Sequence, residues 1–209
     1  MKLTIFGATG RAGVQLVAQA LARGHTVTAF ARSPQKLATY AGRIEIVHGD
    51  VLDAAAVGRA VAGADAVLSV LGPTANRPDY QVTRGTEHIL QAMKQHGVRR
   101  LVLAAGAGVA DTHDEPRLFH KLINVLLKLF SRHVYEDMRR VVQLVRGSGV
   151  DWTIVRVPML TDEPAKGQVR VGYVGKGMGS RLSRADMAAF MLDEVEGGEY
   201  VGKAPAVSH

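Results

Sequence analysis

Seven residues near the N-terminus carry the clearest chemical signal. Gly7-Ala8-Thr9-Gly10-Arg11-Ala12-Gly13 spaces its glycines as G-x-x-G-x-x-G, between an apolar strand and an amphipathic helix. The first glycine suits a tight turn, the second lets backbone approach a pyrophosphate, and the third lets the helix pack close to the sheet. A helix that starts there offers free N–H groups and the positive end of its dipole to phosphate oxygens. A plain glycine-rich turn would not need that strand and helix around it. Cofactor choice is read at the end of the second strand, Phe30-Ala31-Arg32-Ser33-Pro34-Gln35-Lys36. An acid there would hold a ribose 2′-hydroxyl, and none is present. Arg32 suits a forked contact with a 2′-phosphate, with Ser33 and Lys36 as supporting donors. The expectation is NADP(H), with NADPH favoured over NADH.

These residues need a frame. Apolar runs of strand length alternate with helical patterns. Strands are expected at residues 2–6, 25–31, 43–48, 66–71, 99–105 and 151–157, with one more over 168–174. Helices are expected after Gly13, over 54–61, 83–96 and 118–146 with a break near Ser131, and over 183–194 with Ser183 as N-cap and Asp186 three residues on. Alternation of this kind specifies an α/β fold: a Rossmann-type, doubly wound, mostly parallel sheet with helices on both faces. The whole chain, 1–209, reads as one domain ending in a small C-terminal substrate-side cap. The loops 72–80, 106–117 and 158–167 all follow strands, so they should line the site. The substrate-side elements are expected at about 106–135 and 158–182.

Composition removes several function classes. The chain has no cysteine, which excludes disulfides, thiolate metal sites and a cysteine nucleophile. The net charge of +7 is scattered, and the aromatic residues (5%) do not interleave with basic clusters, so nucleic-acid binding is not expected. No apolar run reaches the roughly 18–20 residues of a membrane span. The opening MKLTIFGATG lacks a signal-peptide pattern, so a cytoplasmic location is expected. Asp111, His113, Asp114 and Glu115 could suggest a metal site, but without a second ligand cluster they read as a solvated loop, and no metal is expected. Leu118, Phe119, Leu122, Ile123, Val125, Leu126, Leu127, Leu129 and Phe130 make a helix apolar over most of its circumference. It must be covered by its own fold, by the substrate side as a lid, by a homodimer or partner contact, or by a membrane surface.

Several separate segments, in order, resemble the atypical short-chain dehydrogenase/reductase family. The similarity is to its NmrA-like branch and to NADPH-dependent flavin (biliverdin-IXβ) reductases. They are Ile5-Phe6-Gly7-Ala8-Thr9-Gly10, Gly49-Asp50-Val51-Leu52, Val61-Ala62-Gly63-Ala64-Asp65-Ala66-Val67, Ala92-Met93-Lys94-Gln95-His96-Gly97-Val98, Ser148-Gly149-Val150-Asp151-Trp152-Thr153-Ile154-Val155-Arg156 and Phe190-Met191-Leu192. The resemblance implies that Asp50 and Val51 cradle adenine, that Leu71 and Gly72 lie along the cofactor, and that Ala104 approaches the nicotinamide ribose. It also implies that Pro158 and Met159 border nicotinamide and substrate.

The departures narrow the chemistry. The usual Ser after the fifth strand is missing from Ala104-Ala105-Gly106-Ala107-Gly108. Tyr135 and Arg139 have the Tyr-x-x-x-basic spacing but look shifted from the catalytic register. Met159 stands where the flavin reductases have a pocket-flanking His. No catalytic acid carries over. A site of Ala105, Gly106, Met159 and Tyr80 suits a flat conjugated acceptor such as a flavin, quinone or biliverdin-like molecule, whose protons come from water. The other reading is a non-catalytic NADP(H) redox sensor of NmrA type that acts through a protein partner.

Overall fold

The computed structural model describes residues 1–116 and 130–209. Ten strands are described: β1 (Lys2–Phe6), β2 (Thr26–Ala31), β3 (Glu45–His48), β4 (Ala66–Ser69), β5 (Arg100–Gly106), β6 (Asp151–Val157), β7 (Met159–Thr161), β8 (Arg170–Gly172), β9 (Arg181–Ser183) and β10 (Ala206–Ser208). The helices are α1 (Arg11–Ala22), α2 (Ala54–Val61), α3 (Gln81–His96), α4 (Arg132–Arg146) and α5 (Arg184–Gly197). The eight-stranded sheet runs β3-β2-β1-β4-β5-β6-β10-β8 and is parallel except for the last pair, β10 with β8. That is the Rossmann order, in which the chain reverses direction between β1 and β4. Residues of β1 pair with β2 on one side and β4 on the other, so the loops after β1 and β4 open a crevice at the strands' carboxyl ends.

Each face of the sheet has its own apolar layer. Leu16 and Val17 of α1 pack with Met187 and Met191 of α5 on one face. Val57, Ile89, Met93, Val141 and Val142 from α2, α3 and α4 fill the other. The central strands β1, β4, β5 and β6 are largely buried on both sides, as their near-continuous apolar runs require. Ser183 caps α5, its hydroxyl accepting from the Asp186 N–H at 3.0 Å.

The structure differs from the sequence expectation at the C-terminal side. Over 168–174 only Arg170–Gly172 is strand, an antiparallel edge. Two three-residue strands, β7 and β9, form a separate parallel pair, and β10 returns to β6. Strands this short carry no readable alternation, and their pairing is set by distant partners. Pro34–Tyr40 forms a 3-10 helix behind Arg32. The expected apolar helix from Leu118 lies outside the described residues apart from Phe130, which is exposed. The expected break stands at Ser131, which precedes α4.

Candidate functional site

The turn between β1 and α1 is shaped by its glycines. Gly7 has φ +81°, and a Cβ there would sit 3.0 Å from the Val70 carbonyl, so no other residue fits both its conformation and its space. The Gly10 N–H donates to the Gly7 carbonyl at 3.0 Å, and Gly10 precedes α1 without a side-chain cap or an acid in the first turn. A Cβ on Gly13 would collide with the Gly7 carbonyl and the Ala8 backbone, so α1 lies directly on the turn. The end of α1 is left to an external hydrogen-bond acceptor, which suits a phosphate.

An open cleft of about 740 Å³ begins at this turn. Gly7, Thr9, Arg32, Asp50, Val51, Leu71 and Gly72, all expected from sequence, line it together. Arg32 Nη1 stands 3.8 Å from Asp50 Oδ2, both side chains exposed, so the guanidinium is held at the rim. The Asp50 carboxylate also accepts from the Leu52 N–H at 2.9 Å. Ser33 and Lys36 are exposed in the turn behind Arg32, outside the cleft lining. Gly10, Arg11, Ala12 and Gly13, at the start of α1, are outside the cleft lining, and Gly13 is buried. Arg11 reaches Asp162, beyond β7, at 2.9 Å.

The substrate-side residues lie at other positions. Ala104, Ala105 and Gly106 end β5, and Pro158 and Met159 follow β6. Register pairs Gly106 with Val157, so these two strand ends are adjacent. Ala105 is buried, Ala104 and Pro158 are half-buried, and Gly106 and Met159 are exposed. Tyr80 precedes α3, and its hydroxyl donates to Glu136 at 3.1 Å while Arg140 lies 4.0 Å over its ring. The Glu136 carboxyl is held below its ordinary value by hydrogen bonds from Arg132 and Tyr80. Tyr135 is half-buried on α4 and is not part of the cleft lining.

Thr74 and Asp79 belong to the loop 72–80 expected to line the site, whereas sequence reasoning missed Phe30, Gln81, Val82 and Asp137 in the cleft lining. Asp137 is buried and accepts from the N–H groups of Val82 and Thr83 at 3.2 and 2.9 Å, capping α3 from α4. No local pattern marks such a cap, because it comes from a different helix.

The acidic loop after β5 needs a correction. It is not simply solvated, since the side chains of Asp111 and Asp114 are buried while His113 and Glu115 are exposed. Asp114 takes two hydrogen bonds, at 2.7 and 2.8 Å, from Arg156, which is fully buried on β6. Burial pushes the Asp114 carboxyl up, but the Arg156 guanidinium and the Asp111 and Val174 N–H groups outweigh it and hold it low. Through Asp114 the loop is tied to β6 and to Val174, just after β8.

Comparison with known proteins identifies the family. Residues 7–197 match a family model described as NAD(P)H-binding. The chain belongs to this family. Among curated relatives, it is 29% identical over 99% of its length to a (4-alkanoyl-5-oxo-2,5-dihydrofuran-3-yl)methyl phosphate reductase of Streptomyces griseus. The chain spans 67% of that relative and about a third of a hydroxysteroid dehydrogenase it also matches. A short-chain dehydrogenase/reductase of Veillonella parvula in complex with NADP shares the fold at TM-score 0.83, with 18% identity, over 100% of this chain and 94% of that one. An anaerobilin reductase of Escherichia coli O157:H7 shares it at 0.78, with 20% identity, over 100% and 97%. Family membership, the Rossmann order and the cleft agree with the resemblance to atypical short-chain reductases. The glycine turn, the uncapped start of α1 and the Arg32 rim fit an NAD(P)H dinucleotide. Among the described residues no helix is long and apolar enough to cross a membrane.

Proposed function

We propose that this protein is an NADPH-dependent reductase of a small conjugated acceptor, of flavin, quinone or biliverdin-like type. The observation that carries the reading is the pairing of β5 and β6 at Gly106 and Val157. In this reading Ala105 and Gly106, at the end of β5, and Pro158 and Met159, after β6, would form a small and apolar floor under the acceptor, without a side-chain proton donor of its own. Such a floor favours stacking of a flat molecule over protonation of an alkoxide. The Streptomyces griseus relative is by its name a reductase of an alkanoyl-substituted oxo-dihydrofuran, which supports a small conjugated acceptor.

Each residue has a role in this reading. Gly7, Thr9, Gly10, Arg11, Ala12 and Gly13 receive the pyrophosphate, with N–H groups at the start of α1. Arg32, with Ser33 and Lys36, selects the 2′-phosphate, and Asp50 and Val51 hold the adenine. Leu71, Gly72, Ala104 and Pro158 follow the cofactor toward the nicotinamide. Ala105, Gly106 and Met159 exclude water from the acceptor, and Tyr80 closes the loop after β4. The bound dinucleotide supplies a hydride, and the protein supplies orientation.

The test is nicotinamide oxidation with NADPH and NADH in parallel, against flavins, quinones and biliverdin. Turnover with NADPH is expected, and Arg32→Ala should weaken NADPH about ten- to hundredfold while leaving NADH little changed. Equal use of both nucleotides by the wild type sinks the Arg32 assignment. Tight NADPH binding without turnover of any acceptor sinks the reductase reading.

A further inference from the structure

The cofactor-side wall of the cleft includes a segment that apolar burial does not hold. Pro73, Thr74, Ala75, Asp79 and Gln81 line the cleft, yet residues 74–79 are exposed. An exposed loop with few apolar contacts opens easily unless it is tethered. Here the tethers come from α4. The Asn76 carboxamide oxygen accepts from the N–H groups of His133 and Val134 at 3.0 and 3.4 Å, and its nitrogen donates to the Phe130 carbonyl at 3.1 Å. Four residues on, Tyr80 donates its hydroxyl to Glu136 and lies under Arg140. Asp137, between those two partners in sequence, caps α3 through Val82 and Thr83 and itself lines the cleft. The loop therefore caps α4, and α4 caps the helix that follows the loop.

Tyr80 is also held in an unfavourable shape. With φ 47° and ψ 42°, it is the only non-glycine residue with positive φ among the described residues. A left-handed tyrosine costs energy, so it persists where surrounding contacts over-determine it. The contacts that do so here are those from Glu136 and Arg140. They act on the residue between cleft-lining Asp79 and Gln81.

We propose that Tyr80 and Asn76 are positioning residues, through which α4 holds the 73–81 wall in its dinucleotide-binding shape. In this role Tyr80 acts on the cofactor from behind the wall. The inference rests on the reading of the cleft as the NADP(H) site.

The experiment uses the full chain and two readouts: amide hydrogen exchange of the free protein, and NADPH affinity by titration. The variants are Tyr80→Phe, Glu136→Ala, Glu136→Gln and the Tyr80→Phe/Glu136→Ala double. Tyr80→Phe removes one hydroxyl and keeps the ring under Arg140, so the fold is retained. Faster exchange over 73–79 is expected for Tyr80→Phe and Glu136→Ala, together with NADPH binding weakened about three- to tenfold. The double variant should be no weaker than the worse single, and Glu136→Gln, which still accepts from Tyr80, should keep wild-type affinity. Unchanged exchange over 73–79 overturns the proposal, as does faster exchange with unchanged affinity. A wild type that binds neither NADPH nor NADH overturns the cleft reading itself, and the positioning role with it.

Discussion

Gly13 and Gly58 show how one residue type answers to two different demands. A Cβ on Gly13 would strike the Gly7 carbonyl and the Ala8 backbone, and neither is a flexible side chain that could swing away. Gly13→Ala should therefore push α1 off the turn, costing about 1–3 kcal/mol in urea unfolding and abolishing tight NADPH binding. A Cβ on Gly58 in α2 meets nothing within 4 Å. Gly58→Ala should instead stabilise the protein by about 0.5–1 kcal/mol in the same measurement and leave NADPH binding unchanged. The role of Gly13 was legible because its spacing from Gly7 and Gly10 is set by the turn, a local feature. Arg32 was legible for the same reason, standing at the end of a strand that ends in no acid. Asp137 was not, because its partners Val82 and Thr83 lie more than fifty residues away in sequence. Three-dimensional packing alone brings a carboxylate of α4 to the start of α3.

At the scale of elements, the loop after β5 depends on one buried ion pair. Arg156 gives its guanidinium to Asp114, to the Val109 carbonyl and to the Ala204 carbonyl, and Asp114 also receives the Val174 N–H. Removing Asp114 leaves a buried cation without its partner, which is far costlier than losing an exposed pair. Asp114→Ala should cost about 3–5 kcal/mol in denaturant unfolding, whereas Glu115→Ala, at the exposed neighbour, should change stability by about 0.5 kcal/mol or less. An equal effect of the two substitutions would contradict the clasp. From sequence, Asp111, His113, Asp114 and Glu115 form one polar run, and nothing in it distinguishes the two buried acids from their exposed neighbours. These helices were legible, since α2 spans Ala54–Val61 and α3 ends at His96 before Gly97, as periodicity and the helix-stopping glycine require. The three-residue strands β7, β9 and β10 were not, because each exists through pairing with a distant segment.

For the whole molecule, the C-terminal segment closes the structure over one carboxylate. Asp186 accepts from the Ser183 hydroxyl, the N–H groups of Lys166 and Gly167, and the His209 ring. Burial pushes this carboxyl up, but the hydrogen bonds prevail and hold it at about 2, below its ordinary 3.8. A carboxyl depressed on folding contributes stability that is complete above the ordinary value and is lost as pH falls through the folded value. Acid unfolding should therefore steepen from pH 3.8 down to about 2, and Asp186→Asn should be less stable at neutral pH and lose that part of the slope. An unchanged acid profile in the variant would show that Asp186 does not anchor the closure.

The parts that rest on neighbours in the chain can be read from residue order: the glycine turn, the Arg32 rim, the alternation of strands and helices, and the Ser183 cap. Their physics operates over a few residues, so spacing is enough to read it. Tertiary structure alone decided which distant segments meet. It set Asp114 on Arg156, bolted the 73–81 wall to α4, paired β7 with β9, and brought His209 onto Asp186. Those contacts join groups far apart in sequence, and their geometry exists only once both faces of the sheet have packed.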